Sequence, residues 1–181
     1  MTFARPVAAR WGITQDFNDS YSAERIGWLD EKAAPDRGKR APFTGGVKKT
    51  HLHLGIDYGC PTGTPVVAVH DGVIVDQGTD SDGAVFIVLR IRRTLLKQVD
   101  VIYYHLKPGT FRFTKGAKVL KGQVLALSDN TGLSSGPHLH VSMVVGPRLA
   151  SVRNYGWWLW MHYDMQPFID GKYTLSRIAP F

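Results

Sequence analysis

The chain has 181 residues, of which 44% are apolar, 20% charged and 11% aromatic. This length and balance exclude a disordered chain, the single cysteine Cys60 excludes an internal disulfide, and one globular domain with a sizeable core is indicated. The net charge of +7 and a pI of about 9.6 favour contact with a polyanion such as nucleic acid, an anionic membrane or an anionic cell wall, without choosing among them.

The first part of the chain, residues 1–46, is mixed in character. It ends in EKAAPDRGKRAPFTGG, which is rich in charge, proline and glycine and predicts a loop. The opening residues, MTFARPVAARWGITQ, contain no apolar run of the length that a signal peptide needs, and no other segment is as long as a membrane span. We therefore expect a protein that is synthesised in the cytoplasm without a signal peptide and does not insert into a membrane.

Residues 47–146 are a succession of short β-prone runs separated by turn residues. The runs are TPVVAVHDGVIVD, GAVFIVLRIR, QVDVIYYHL, GAKVLKGQVLALS and PHLHVSMVV. Asp71-Gly72 predicts a hairpin between two valine-rich strands, and Ser81-Asp82-Gly83 predicts a further turn. Because hardly any window between residues 50 and 146 has helical periodicity, we predict an all-β core of antiparallel sheets.

The last segment, residues 147–181, breaks this rhythm with three tryptophans in four positions, in the sequence WWLW. Such aromatic side chains favour packing over one end of the sheet. A ridge that contacts a ligand is the alternative, because tryptophan and tyrosine are also enriched in binding surfaces. We predict that residues 1–181 form one domain, in which the first and last segments extend the core at 47–146.

Two short sequences concentrate the histidines: THLHLGIDY at residues 50–58 and SSGPHLHVS at residues 134–142. Residues two apart in a strand project to the same side, so His138 and His140 would present both rings to one site. A straight strand would separate His53 from Asp57 by about 13 Å, which is too far for two ligands of one metal ion. The chain therefore has to bend between them, and Gly55 is the residue that permits a bend.

These residues have the chemistry of a catalytic zinc site. Three nitrogen or carboxylate ligands with a fourth position open to water make such a site, and His53, Asp57 and either His138 or His140 would supply the three. The two glutamates of the chain both lie in residues 1–46, far in sequence from these ligands. A histidine is therefore the expected general base, since its pKa of ~6.5 suits proton transfer near neutrality.

The pattern resembles the lysostaphin-type, or LytM-type, zinc endopeptidases of bacterial cell-wall metabolism. Their signature is HxGxD, a later histidine in a Tyr-x-His-Leu context, and a final GPHLH. In this chain the motifs read His53-Leu-Gly-Ile-Asp57, Tyr103-Tyr-His105-Leu and Gly136-Pro-His138-Leu-His140. The resemblance covers residues 47–146 and implies the fold of that family, an antiparallel β-sheet sandwich or barrel of the duplicated hybrid motif kind.

Carried over by position, the resemblance assigns a role to five residues. It implies that His53, Asp57 and His140 hold one zinc ion per chain. It also implies that His105 and His138 are catalytic.

The chain departs from the family at one tyrosine. Several members carry a tyrosine shortly before the first zinc ligand that helps to bind the transition state, but residues 42–50 of this chain contain none. That role is either unfilled or taken by another residue, for which Tyr103 is a candidate. The remaining histidines, His51, His70 and His162, are expected to lie outside the ligand set.

The implied activity is hydrolysis of the stem or cross-bridge peptides of bacterial peptidoglycan. A sheet-lined groove would hold the peptide, with the glycine-rich segments 131–136 and 81–83 as walls, and the basic charge suits an anionic wall. The lack of an export signal favours a phage lysin that waits in the cytoplasm of the infected host and acts on the wall after release.

Three other classes of protein fit parts of the pattern. Some relatives of this fold have lost the zinc residues and act only as cell-wall-binding or activator modules, whereas every matched position is filled here. A cupin-like oxygenase uses an HxH pair, usually with a glutamate a few residues later, but residues 141–150 contain no carboxylate. A nucleic-acid binder would explain the charge but not the histidines, so no nucleic-acid partner is expected.

Overall fold

A computed structural model describes residues 3–15, 20–22, 50–93, 97–147, 161–163 and 165–172. The strands of these ranges are β1 (Ile13–Gln15), β2 (Ser20–Ser22), β3 (Thr50–Leu52), β4 (Ile56–Tyr58), β5 (Pro65–Val67), β6 (Gly72–Thr79), β7 (Val85–Arg93), β8 (Lys97–Tyr104), β9 (Lys118–Val119), β10 (Val124–Leu127), β11 (Leu139–Pro147) and β12 (Met161–Tyr163), and the helix is α1 (Gln166–Ile169). The predicted loop at residues 31–46 and the tryptophans Trp157, Trp158 and Trp160 lie outside the described residues.

The main sheet joins strands that are far apart in sequence. Its order is β1-β4-β11-β8-β7-β6-β9, and β12 also pairs with β11. Two small sheets, β10-β5 and β2-β3, complete the described strands. All the pairings are antiparallel, so the prediction of an all-β core of antiparallel sheets is confirmed.

Alternate residues of the long strands β7, β8 and β11 face opposite sides of the main sheet. One side carries the large core. The other side carries a smaller cluster whose members are at most 3% exposed, namely Phe86, Val88, Ile102 and Val144. Since His140 and Ser142 lie four and two residues before Val144 on β11, they belong to the face of the smaller cluster.

The predicted hairpin at Asp71-Gly72 is wrong. β5 pairs with β10, and β6 pairs with β7 and β9, so the two valine-rich strands on either side of this dipeptide are not partners. Gly72 serves a different need, because a Cβ at this position would lie 2.5 Å from the carbonyl oxygen of Arg90 on β7. The glycine therefore permits close approach of two strands rather than a tight turn.

The predicted turn at residues 81–83 is present and joins β6 to β7. The amide of Gly83, which has a φ of 83°, donates to the carbonyl of Asp80 at 3.2 Å. The Asp80 carboxylate accepts from the amides of Asp82 and Ala84 at 3.0 and 2.8 Å, which fixes the loop.

The two ends of the described chain pack on the same core. Phe3 donates its amide to the carbonyl of Phe168 in α1 at 3.1 Å, and the two rings stack with centroids 5.3 Å apart. Within the described ranges, no helix is long and apolar enough to cross a membrane. The extent of the domain over residues 1–181 stays a prediction.

Candidate metal centre and catalytic histidines

Strand pairing brings the two sequence motifs together. β4 and β11 are antiparallel neighbours, and Asp57 stands directly opposite His140 in their pairing. Asp57 Oδ1 lies 2.8 Å from His140 Nδ1 and 3.2 Å from His53 Nε2, and the two histidine nitrogens are 3.0 Å apart. These three residues form a group that could hold a metal ion.

Gly55 makes this convergence possible in two ways. The chain bends at Gly55, as the sequence predicts, so that His53 turns back toward Asp57. A Cβ on Gly55 would lie 2.6 Å from His140 Nε2 and 2.6 Å from the carbonyl oxygen of Val141, distances that no packed carbon tolerates. Because Gly55 has no positive φ, space rather than backbone freedom is what requires glycine here.

The hydrogen bonds of His140 assign its tautomer. Ser142 donates its hydroxyl proton to the carbonyl of Leu54 at 3.0 Å, and His140 Nε2 lies 2.8 Å from the same hydroxyl oxygen. That oxygen must therefore accept from an N–H at Nε2, because its own proton is already used. His140 Nδ1 then presents a lone pair to Asp57 and His53.

The donor set fits a zinc ion. A carboxylate oxygen and an imidazole lone pair 2.8 Å apart repel each other unless a cation lies between them. Zinc bonds of ~2.0–2.2 Å in tetrahedral geometry separate ligand atoms by about 3.3–3.5 Å, only a few tenths of an ångström more than the separations of 2.8–3.2 Å found here.

The electrostatics of the group suit metal ligands. Burial by itself would raise the pKa of Asp57, but the contacts with His140 and His53 outweigh burial, and the net pKa lies far below the usual range of a carboxyl group. Burial lowers the pKa of His140, which the contact with Asp57 only partly opposes. Asp57 is therefore ionised and His140 neutral near neutrality, the forms that bind metal.

His105 and His138 lie side by side next to this group, with ring centroids 4.5 Å apart. His105 donates its Nδ1 proton to the carbonyl of Thr131 at 2.7 Å, and His138 donates its own to the carbonyl of Gly136 at 2.8 Å. In both rings Nε2 is consequently the atom left for chemistry. Nε2 of His138 lies 3.6 Å from Asp57 Oδ2, farther than the nitrogens of His53 and His140 lie from Oδ1.

The backbone at His105 is strained. Its φ of 60° is the only positive value among the non-glycine residues that the structure describes. The neighbouring hydrogen bonds hold the conformation: Asp129 donates to the carbonyl of His105 at 2.7 Å, and Leu106 donates to the carbonyl of Val85 at 3.0 Å. Strain of this kind is typical of functional positions, where it aims a side chain that regular strand geometry would point elsewhere.

Burial, reinforced by the neighbouring His138, lowers the pKa of His105 from 6.5 to about 4. The unfolded chain therefore binds more protons at His105 than the folded one between about pH 4 and 6.5, so this contribution to stability is complete above pH 6.5 and is lost on acidification. We expect the zinc-free protein to lose on the order of 2–3 kcal/mol more unfolding free energy between pH 7.5 and 4.5 than its His105→Gln variant. Urea unfolding at the two pH values measures this, and equal losses would contradict the shift.

The sequence-based choice of Tyr103 as the missing tyrosine is wrong. Tyr103 is fully buried in the large core, where its hydroxyl accepts the amide of Val69 at 3.0 Å. Tyr104, one residue later, faces the site instead, with its ring centroid 6.0 Å from that of His140 and 6.3 Å from that of His105. Adjacent residues of a strand point to opposite faces of the sheet. The Tyr-x-His-Leu motif alone does not indicate which of the two tyrosines lies on the face of the metal group.

The other predicted features have mixed outcomes. His70 lies outside the metal group, with Nδ1 donating to the carbonyl of Asp71 at 2.9 Å, as expected. The side chains of His51 and His162 lie outside the described part of the chain. The two predicted groove segments adjoin, since a Cβ on Gly83 would lie 3.9 Å from the Cα of Gly132. Their role as walls stays a prediction.

Sequence reasoning missed the groups that hold the histidines in place. These are Ser142 beside His140, Thr131 beside His105, and Ser134, whose hydroxyl lies 3.1 Å from His138 Nδ1. Strand alternation could have indicated Ser142, because it lies two residues after a predicted ligand on the same face.

Residues 51–150, more than half of the chain, match peptidase family M23, and the chain belongs to that family. The peptidoglycan DD-endopeptidase ShyA of Vibrio cholerae is 30% identical over 143 residues, which are 79% of this chain and 27% of ShyA. The chain spans about a quarter of the length of curated relatives such as ShyA. The resemblance inferred from the three motifs is thus confirmed at the level of the family.

Solved structures confirm the fold. A zinc-containing peptidase of Vibrio cholerae has a TM-score of 0.60 at 24% identity, with 91% of this chain and 39% of that chain covered. The catalytic domain of lysostaphin from Staphylococcus simulans has a TM-score of 0.54 at 22% identity, with 91% and 98% covered. The chain therefore has the lysostaphin-type fold that the motifs imply.

Proposed function

We propose that this protein is a zinc-dependent endopeptidase that hydrolyses peptide bonds in the stem or cross-bridge peptides of bacterial peptidoglycan. The observation that carries the proposal is the convergence of His53, Asp57 and His140, with His105 and His138 beside them. The description of ShyA as a peptidoglycan DD-endopeptidase supports the substrate class, and the zinc content of the related Vibrio peptidase supports the metal.

His53, Asp57 and His140 would hold one zinc ion per chain. When bound, zinc supplies a Lewis acid that polarises a carbonyl group and lowers the pKa of water toward ~7. Three protein ligands leave a fourth position open, which is the arrangement of catalytic rather than structural sites. The ionised Asp57 would offset part of the metal's charge, and the bend at Gly55 brings His53 and Asp57 close together.

His105 and His138 would move the protons. Each ring keeps its Nδ1 proton on a backbone carbonyl, so Nε2 exchanges protons with the reacting groups. One ring accepts a proton from the attacking water, while the other stabilises the developing oxyanion or protonates the leaving amine. The lowered pKa of His105 keeps that ring unprotonated near neutrality and favours it as the acceptor.

A non-catalytic cell-wall-binding or activator module of the same fold is the second candidate. The complete set of metal and catalytic side chains speaks against it, since a binding module needs neither the ionised Asp57 nor the paired histidines. Zinc content well below one equivalent together with intact sacculi would favour this second candidate.

Digestion of purified sacculi tests the proposal. We expect the zinc-loaded protein to release fragments that carry new amino termini, because a peptidase cuts amide bonds. The chelator-treated protein should release none, and restored zinc should restore release. New reducing sugar ends in place of new amino termini would indicate a glycosidase and overturn the proposal.

We further propose a phage lysin as the biological setting, made in the cytoplasm of the infected host and active on the wall after release. The basic charge of the chain supports contact with an anionic wall. Expression in the bacterial cytoplasm should leave cells intact until a membrane-permeabilising protein is co-expressed, and culture turbidity follows the resulting lysis. Intact cells after permeabilisation, despite activity on sacculi, would argue against the lysin role.

A further inference from the structure

Ser142 lies beside the candidate metal centre, between His140 and the backbone of Leu54. It is fully buried on β11, two residues after His140 and on the same face of the sheet. Its hydroxyl oxygen lies 2.8 Å from His140 Nε2 and 3.0 Å from the carbonyl oxygen of Leu54. The hydroxyl of Ser142 thus connects His140 to the backbone next to His53. The two residues joined by the second hydrogen bond, Ser142 and Leu54, are 88 positions apart in sequence.

The direction of both hydrogen bonds follows from the chemistry of the partners. A carbonyl oxygen only accepts, so the hydroxyl proton of Ser142 goes to Leu54. The same oxygen then has only lone pairs to offer His140, which must bring an N–H at Nε2. Nδ1, at the opposite side of the ring, keeps its lone pair directed at Asp57 and His53.

The Leu54 end of this chain of hydrogen bonds reaches the other ligands. Leu54 lies between His53 and Gly55, at the start of the bend that turns His53 back toward Asp57. The hydroxyl of Ser142 therefore fixes two things at once, the ring orientation of one ligand and the backbone that carries another. Within the described residues, neither Asp57 nor the catalytic pair forms a hydrogen bond with this hydroxyl.

We propose that Ser142 is a positioning residue that sets the zinc affinity of the site by holding His140 as the Nε2–H tautomer and tying it to the backbone of Leu54. The inference rests on the zinc site proposed above. Partners that orient metal-bound histidines typically contribute 10- to 100-fold to metal affinity. The effect acts through His140 and Leu54, since Ser142 itself does not reach the metal group.

The test compares Ser142→Ala with a matched control, Ser128→Ala. Ser128 is also fully buried, and its hydroxyl also donates to a carbonyl, that of Pro61 at 2.8 Å. This hydroxyl accepts a hydrogen bond from the amide of Thr64 at 3.2 Å and, in the described part of the chain, forms none with a proposed ligand. Both variants therefore lose a buried hydroxyl, but only Ser142→Ala loses one that holds a ligand.

Competition with a fluorescent zinc chelator measures affinity in the folded proteins. We expect Ser142→Ala to bind zinc about 10- to 100-fold more weakly than the unchanged protein, and Ser128→Ala to stay within about threefold of it. Equal affinity of Ser142→Ala and the unchanged protein, or equal losses in both variants, would overturn the inference. Absence of zinc binding by the unchanged protein would instead sink the proposed metal site, and this inference with it.

A spectroscopic readout separates positioning from general stability. In the zinc-loaded protein, the ring proton on His140 Nε2 should give a slowly exchanging NMR signal, because it is buried against the oxygen of Ser142. In Ser142→Ala this signal should exchange rapidly or disappear, whereas in Ser128→Ala it should persist. A protected His140 Nε2 proton in Ser142→Ala would show that another group holds the ring, and the inference would fail.

Discussion

Replacing His138 with alanine is expected to leave zinc bound and to reduce hydrolysis of sacculi by about 10²- to 10⁴-fold, the range that positioned acids and bases contribute. His138 lies beside the metal group, with Nε2 3.6 Å from Asp57 Oδ2, and its Nδ1 proton is held by the carbonyl of Gly136. Its loss removes a proton carrier without removing a ligand. Zinc content by elemental analysis and the initial rate of fragment release measure the two effects separately.

Asp57→Ala supplies the contrast. Asp57 Oδ1 lies within 3.2 Å of both His53 and His140, so its removal leaves two neutral nitrogens without the charge that anchors the ion. We expect this variant, and likewise His53→Ala, to lose both zinc and activity. A His138→Ala protein that keeps full activity, or an Asp57→Ala protein that keeps stoichiometric zinc, would show that the roles are wrongly assigned.

The second large effect is expected for Gly55→Ala. The added methyl carbon would lie 2.6 Å from His140 Nε2 and 2.6 Å from the carbonyl oxygen of Val141, so a ring and a strand both have to move. Overpacking of this kind costs about 1–3 kcal/mol of unfolding free energy. Because the displaced ring carries a proposed ligand atom, zinc affinity should fall as well.

Gly12→Ala is the matched control for this change. A Cβ at Gly12 would meet nothing within 4 Å, and Gly12 has no positive φ. Urea unfolding of the zinc-free proteins and chelator competition should therefore separate Gly55→Ala from both Gly12→Ala and the unchanged protein. If the two alanine variants match in stability and in zinc affinity, the close approach at Gly55 is not what fixes the site.

The local parts of the structure could be predicted from the sequence. Runs of β-branched residues with turn residues between them give the strands, and period-two alternation places His138 and His140 on one side of β11. The ligand spacing required a bend between His53 and Asp57, and the chain does bend at Gly55. Each of these inferences depends on residues only a few positions apart.

The pairing of strands, in contrast, depends on residues far apart in the chain and could not be predicted from the sequence. Asp71-Gly72 has the composition of a hairpin turn, yet β5 pairs with β10, which begins more than fifty positions later. The same limit affected the tyrosines, because alternation separates Tyr103 from Tyr104 without saying which faces the metal group. Only the pairing of Tyr104 with His140 decides that.

Pairing of Asp57 with His140 across β4 and β11 has a consequence for how the chain reaches its native state. If β11 slipped by one position against its neighbours, every side chain would change face, and an aliphatic residue, Leu139 or Val141, would take the place of His140. A chain misaligned in this way has no third ligand to offer. Zinc would thus bind only to correctly aligned molecules and draw the folding population toward them. The ion that is proposed to serve catalysis would then also stabilise the correct strand register.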